Sequence, residues 1–371
     1  MLSILSMPRR HSIPFSAIFL SLSLCSVFIC LLLAELLLAS SWFPASFFHN
    51  TPNILTFVQC MFAALALTTL KSYLNYVSHY AEWARRSFSN ESWLPIPSFR
   101  AGLFLSAKQV TLHTGNSITV VAAAFSWANS FVGSSEILNR DPVFQRLVSG
   151  FCKLKAKPVA KKAPFTYEQI RQVVLSQLHS SSDLAAHRLS SFLLLGLVGM
   201  RRVSEPLKLA LSGISFTEGY VRVFIRSSKT DTLRKGTFTV VAPSEQPPCP
   251  VNVLCSYVKI LRSFSHVSDG SPLFPSLKFV KQTKSLSPTR KPLSYGVALK
   301  RIRFSATTLH LDSKLYGTHS LRSGGATAAA RRGLSERLIR LQGRWASNSS
   351  KDMYIEDPVS ERLHTASMIA S

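Results

Sequence analysis

Apolar residues recur at three- and four-residue spacing through LALTTLKSYLNYVSHYAEWARR and again through SAKQVTLHTGNSITVVAAAFSWANSFVG. That is the period of helices with one buried face, and it predicts a small helical bundle over residues 54–150. Leu70, Tyr73, Leu74, Val77, Tyr80 and Trp83 fall on the inward face, and core packing is the role expected of most of these aromatics. The loop SWLPIPS separates the two helical runs.

After residue 150 the pattern changes. KLKAKPVAKKAP, from Lys153 to Pro164, carries five lysines and two prolines with little apolar content, so residues 151–164 read as an extended basic linker. Thr166 can cap a helix running through Gln172, with Glu168 in its first turn. An apolar helix follows over Leu184–Val198, then a Gly-Met-Arg-Arg turn. Tyr220–Arg226 and Thr237–Val241 alternate apolar and polar residues around SSKTDTLRKG, the pattern of a hairpin with a basic tip. Further helices are expected near Val251–Phe264, Tyr295–Thr308, Ser320–Arg332, Glu336–Leu341 and Ser349–Ile355. Residues 165–371 thus form a second domain, mostly helical with a small antiparallel sheet, and the chain is mainly α.

The first 50 residues follow another rule. Pro14 to Phe43 is a nearly continuous apolar run with Glu35 as its only charge, preceded by Arg9, Arg10 and His11. It is long enough to span a bilayer, with the N-terminus inside. The competing reading is that residues 1–50 do not belong to the working protein, because nothing downstream is built for an anchored life.

Composition narrows the partners. Of 371 residues, 43 are Lys or Arg and 18 are Asp or Glu, a formal charge of +25. An excess of that size points to a polyanion, since counterion release from a nucleic acid backbone drives binding. The linker lysines Lys153, Lys155, Lys157, Lys161 and Lys162 are expected along DNA phosphates. Six cysteines show no CxxC pair and no Cys/His ligand spacing, so reduced, mostly buried thiols and no structural zinc are expected.

The candidate chemistry lies at Gly317–Tyr354, GTHSLRSGGATAAARRGLSERLIRLQGRWASNSSKDMY. His319 and Arg322 stand one helical turn apart, and Trp345 precedes Tyr354 by nine residues. Arg202 opens the upstream segment Arg-Val-Ser-Glu. Each signal is weak alone. Jointly they supply guanidinium forks for the oxygens of a phosphate and a phenol that can attack its phosphorus.

GMRRVSEPLKL, SSKTDTLRKG, THSLRSGGATAAARRG and GRWASNSSKDMYI, in this order behind a helical domain and basic linker, resemble the tyrosine recombinase (phage integrase) family. The wording is closest to eukaryotic mobile-element recombinases. The resemblance covers nearly all of Leu65–Pro358 and implies an N-terminal helical core-binding (SAM-like) domain before a catalytic domain of the tyrosine recombinase fold. By position, Arg202 and Arg322 look like the phosphate-clamping arginines, and His319 like the first residue of the family's His-x-x-Arg. Trp345 falls where the family has His or Trp, donating from its indole nitrogen. Tyr354 looks like the nucleophile and Glu205 like a bracing carboxylate. Lys229 is the choice for the hairpin lysine that protonates the leaving 5′ oxygen, with Lys235 the alternative. Arg344 is expected against backbone phosphate or solvent.

What the resemblance implies is DNA cleavage and rejoining through a 3′-phosphotyrosyl link, with no metal, ATP or other cofactor. A phenol titrates near ~10, so attack needs a base, for which His319 is suited. Double-stranded DNA is the implied partner, held by a homotetramer on paired sites. A catalytically inactive, DNA-binding remnant of a mobile element is the alternative, motivated by the apolar N-terminus and short tail after Tyr354. A type IB topoisomerase uses the same chemistry, but the domain ahead of the linker and HSLRSGGAT argue against it. The location follows as the nucleus for a eukaryotic source, or a membrane if residues 14–43 form an anchor.

Overall fold

The computed structural model describes residues 60–108, 111–112, 114–132, 138–156, 161–180, 183–226, 228, 231, 235–357 and 359–370, with Leu36 and Thr56 ahead of them. The chain divides into two compact units, Met1–Val159 and Ala160–Ser371.

In the first unit the amphipathic runs become α1 (Leu67–Ser87), α2 (Ser98–Lys108), α3 (Gly115–Val132) and α4 (Pro142–Leu154). Leu70, Leu74, Val77, Tyr80, Ala81 and Ala84 form one buried stripe on α1. Tyr80 meets Phe104 of α2 edge-on at 5.5 Å and Phe125 of α3 at 4.9 Å, so the predicted inward face is the core. SWLPIPS is fixed rather than loose. Asn129 of α3, itself buried, accepts from Ile96 N at 2.7 Å and donates to Ile96 O at 2.8 Å, satisfying both backbone groups of a buried loop residue. Asp141 caps α4 through Val143 N and Phe144 N, with Pro142 in the first turn. Because α4 runs on to Leu154, the first four residues of the expected linker are helical.

The membrane expectation is corrected here. Among the described residues no helix is long and apolar enough to cross a membrane. The run 14–43 lies outside the described residues except for Leu36, which is fully buried in the core of the first unit. The cysteine expectation also changes: of the four described, Cys60 is exposed, while Cys152, Cys249 and Cys255 are half-buried. Cys152 packs against the core of the first unit.

The second unit is organised around α6 (Leu184–Val198), which is buried on nearly every side. A helix apolar all round must be central. Around it lie α5 (Tyr167–Ser180) and α7 (Pro250–Arg262), then α8 (Tyr295–Thr308) and α9 (Ser320–Arg331). Thr166 starts α5 through a reciprocal capping box with Gln169, at 3.1 and 2.9 Å. The helix then continues to Ser180, past the predicted end at Gln172.

Strands β1 (Ile214–Thr217), β2 (Tyr220–Ile225) and β3 (Thr237–Val241) form an antiparallel sheet in that order. Arg222 pairs with Val240, and Val223 with both Ile214 and Thr239. The apolar alternates Val221, Val223, Ile225 and Val241 are buried, as period-two patterning requires. A second hairpin, β4 (Pro275–Val280) and β5 (Ser285–Pro292), escapes sequence reading because its lysines and prolines mask the alternation. It displays Lys278, Lys281, Lys284, Arg290 and Lys291, all exposed, and contains no acidic residue.

Short helices α10 (Glu336–Gly343), α11 (Asn348–Asp352) and α12 (Val359–Ala370) complete the chain. The small residues of α9 have a packing cause. A Cβ at Gly324 would run into the carbonyl of Phe165, and one at Gly325 into that of Leu197, so only glycine lets α9 seat so closely against α6 and the strap before α5.

Candidate active site

Four elements of the second unit bring the predicted residues together. Arg202 and Glu205 lie in the turn after α6, where Met200 takes a left-handed conformation (φ 45°). His319 is the residue before α9, and Arg322 lies in that helix's first turn. Trp345 follows α10 through Arg344, which is also left-handed (φ 57°), and Tyr354 follows α11.

Arg322 is completely buried. Its guanidinium donates to the carbonyls of Met200 and of Gly343, the latter at 2.8 Å. Its Cζ sits 4.0 Å over the Trp345 ring and 4.9 Å over that of Tyr354, so two aromatic faces share the cation. The Tyr354 hydroxyl lies 3.2 Å from His319 Nδ1. Burial first, then the charges of Arg322 and Arg202, hold the His319 ring below the ordinary imidazole range. A neutral ring with its proton on Nε2 leaves Nδ1 free to accept from the phenol.

Glu205, 2% exposed, accepts from Arg202 at 3.2 Å and from Arg344 at 2.5 Å. It also accepts from Arg202 N at 3.2 Å. Glu205 therefore has two guanidinium partners. Arg344 departs from its expected place on phosphate or in solvent: its side chain is only 8% exposed and engaged by Glu205, because its left-handed backbone turns it back into the unit.

Arg201, which the sequence reading passed over, is also buried and donates to Thr239 of β3. Desolvation first, then the charge of Arg344, lower its guanidinium to about 9, with Glu205 opposing. Arg201, Arg202, Arg322 and Arg344 against the single carboxylate Glu205 leave three positive charges uncompensated among the described residues. Several of their N–H groups, Arg322 Nε, Arg344 Nε and Arg201 Nε, have no hydrogen-bond partner there, and neither does Trp345 Nε1.

Lys229 lies outside the described residues, as does Lys157. Lys235 is exposed at the start of β3, where its amide and that of Gly236 bind Asp231 at 3.0 and 2.9 Å. Lys153 lies exposed in the last turn of α4, Lys155 follows the helix half-buried, and Lys161 is exposed. Lys162 Nζ donates to Lys314 O at 2.6 Å, so that lysine is tied to its own unit. Among the described residues no group of three or more His, Cys, Asp or Glu side chains is placed to hold a metal ion.

The chain is similar in sequence to a curated integrase/recombinase, and its fold is that of solved site-specific recombinases. The integrase/recombinase XerD homolog of Selenomonas ruminantium is 24% identical over 298 residues, spanning 78% of this chain and 81% of that one. The fold is shared with the site-specific recombinase XerH in its post-cleavage complex with a palindromic difH substrate (TM-score 0.51, 15% identity, 82% of this chain and 80% of that one). XerH in a pre-cleavage complex with difH gives the same TM-score at 16% identity and the same coverage. No family model matches the chain. The nuclear location is withdrawn, because nothing supports it and the curated relative is bacterial.

Proposed function

We propose that this chain cleaves and rejoins DNA strands with Tyr354 as nucleophile, in a site built from Arg202, His319, Arg322 and Trp345 and braced by Glu205. The observation that carries the reading is the surplus of buried guanidinium charge beside the phenol. Leaving a buried cation without a partner costs several kcal/mol. A scissile phosphodiester supplies the missing negative charge and accepts from the unpaired N–H groups of Arg322 and Trp345. Similarity to a recombinase solved on DNA before and after cleavage supports the same partner for this chain.

In the first step the Tyr354 oxygen attacks phosphorus and its proton passes to His319 Nδ1. The bond from phosphorus to the 5′ oxygen breaks, and that oxygen takes a proton from Lys229. The product is a 3′-phosphotyrosyl link and a free 5′-hydroxyl. Attack of a partner strand's 5′-hydroxyl on the link reverses the step and restores the phenol. The arginines neutralise charge that builds on the equatorial oxygens in the transition state. Exchange between two duplexes requires four such sites, which a homotetramer on paired DNA sites provides.

The test is a nicked suicide substrate, from which the 5′ fragment diffuses away and traps the link. Wild type is expected to form a covalent adduct mapping to Tyr354, and Tyr354→Phe to bind DNA without forming one. An adduct that survives the substitution refutes the assignment. The twelve-residue helix α12 follows Tyr354.

A further inference from the structure

Thr327 has no role in the chemistry above, yet its hydroxyl touches the tyrosine-bearing segment twice. It is 4% exposed on α9, five residues beyond Arg322. Its Oγ1 accepts from Glu356 N at 3.1 Å and donates to Tyr354 O at 3.4 Å. Ser191 donates across to Val253 O at 3.4 Å, but several other helical hydroxyls in the unit turn back onto their own helix: Thr307 to Arg303 O, Thr308 to Phe304 O and Ser305 to Arg301 O. That is the usual use of such a side chain inside a helix. Thr327 instead spends both its donor and an acceptor site on backbone 27 and 29 residues away.

The other end of the segment is held separately. Tyr354 N donates to Lys351 O at 2.8 Å, and Lys351, 2% exposed, pairs with Asp352 at 3.1 Å and Glu336 at 3.6 Å. Asn348 Nδ2 adds a bond to Glu336 at 2.8 Å. Between these anchors, Ile355 packs on the cluster of Met200, Ala326, Ala329, Ile339 and Trp345. The backbone of Tyr354 is thereby tied directly to the helix whose first turn carries Arg322 and whose start carries His319.

We infer that Thr327 is a positioning residue: its hydroxyl clasps the backbone on the C-terminal side of Tyr354 and holds the phenol at reacting distance from the His319–Arg322 pair. The inference rests on reading Tyr354 as the nucleophile. Thr327→Val keeps the side-chain volume and removes both hydrogen bonds, whereas Thr327→Ser keeps the hydroxyl and removes only a methyl group.

Two measurements test it on the full chain. Without DNA, hydrogen exchange of the Glu356 amide should speed up about tenfold in T327V, the scale of one lost hydrogen bond, and stay near wild type in T327S. On the nicked substrate at saturating protein, the single-turnover rate of adduct formation should fall about 100-fold in T327V, as a misplaced reacting group does, with DNA affinity unchanged and T327S restoring the rate. Unchanged affinity also shows that T327V is folded. Wild-type exchange and rate in T327V would make Thr327 a packing residue and overturn the inference. Equal loss in T327S and T327V would do the same, by assigning the effect to the methyl group. If wild type itself forms no adduct, the reading of Tyr354 falls and takes the catalytic meaning of the clasp with it, a failure told apart by the silence of the unsubstituted protein.

Discussion

Arg322 is the clearest case of a side chain whose surroundings, more than its type, set its use. Two backbone carbonyls fix its guanidinium and two aromatic rings cover its faces, yet its Nε has no partner among the described residues. Such a group is pre-aimed rather than searching for a partner, which is what stabilisation of a charged transition state requires. The same cations bear on His319. Its folded value lies below the ordinary imidazole value, so as pH falls the unfolded chain takes up this proton first. Its contribution to stability is fully present above about 6.5 and is lost as pH falls through the lower folded value. With His319 as base, the rate of adduct formation at limiting DNA should rise with pH through that lower value and then flatten. His319→Gln should erase the inflection; a profile unchanged by that substitution would remove His319 as the base.

At the scale of elements, Tyr354 is delivered to the site of its own chain by α11 and the turn after it. The bond to His319, the ring contact with Trp345 at 5.3 Å and the backbone bonds to Thr327 all lie within the second unit. If Tyr354 is the nucleophile and Arg202 part of the clamp, as proposed, mixing Tyr354→Phe protein with Arg202→Gln protein should restore no cleavage, because neither chain then carries both. Recovery of adduct in the mixture would mean that the tyrosine serves a neighbour's site. Most of the elements carrying these residues were legible in the sequence: α6 and α8 coincide with their predicted ranges, and β2 and β3 follow the alternation. The β4–β5 hairpin was not, because a strand rich in Lys, Ser and Pro lacks the apolar alternation on which strand reading depends.

For the whole molecule the governing quantity is its charge of +25. If roughly six lysines and arginines contact phosphates, DNA affinity should fall about a thousandfold between ~50 and ~200 mM salt. Replacing Lys153 and Lys161 by Gln should lower the slope of log affinity against log salt by about two if both lie on the backbone. An unchanged slope would move the linker off the DNA.

The order of chemical groups along the chain, the two-unit plan and the charge that points to a polyanion were determined by sequence, because periodicity, charge and residue type are properties of the chain itself. Burial and partner choice are properties of packing between distant segments, so only the tertiary structure could decide them. It turned Arg344 from an expected phosphate contact into a partner of Glu205 and brought Arg201 into the buried cluster. It also set the Thr327 hydroxyl against backbone nearly thirty residues away. In each case a left-handed turn or a close helix contact, rather than the residue's identity, fixed what the side chain meets.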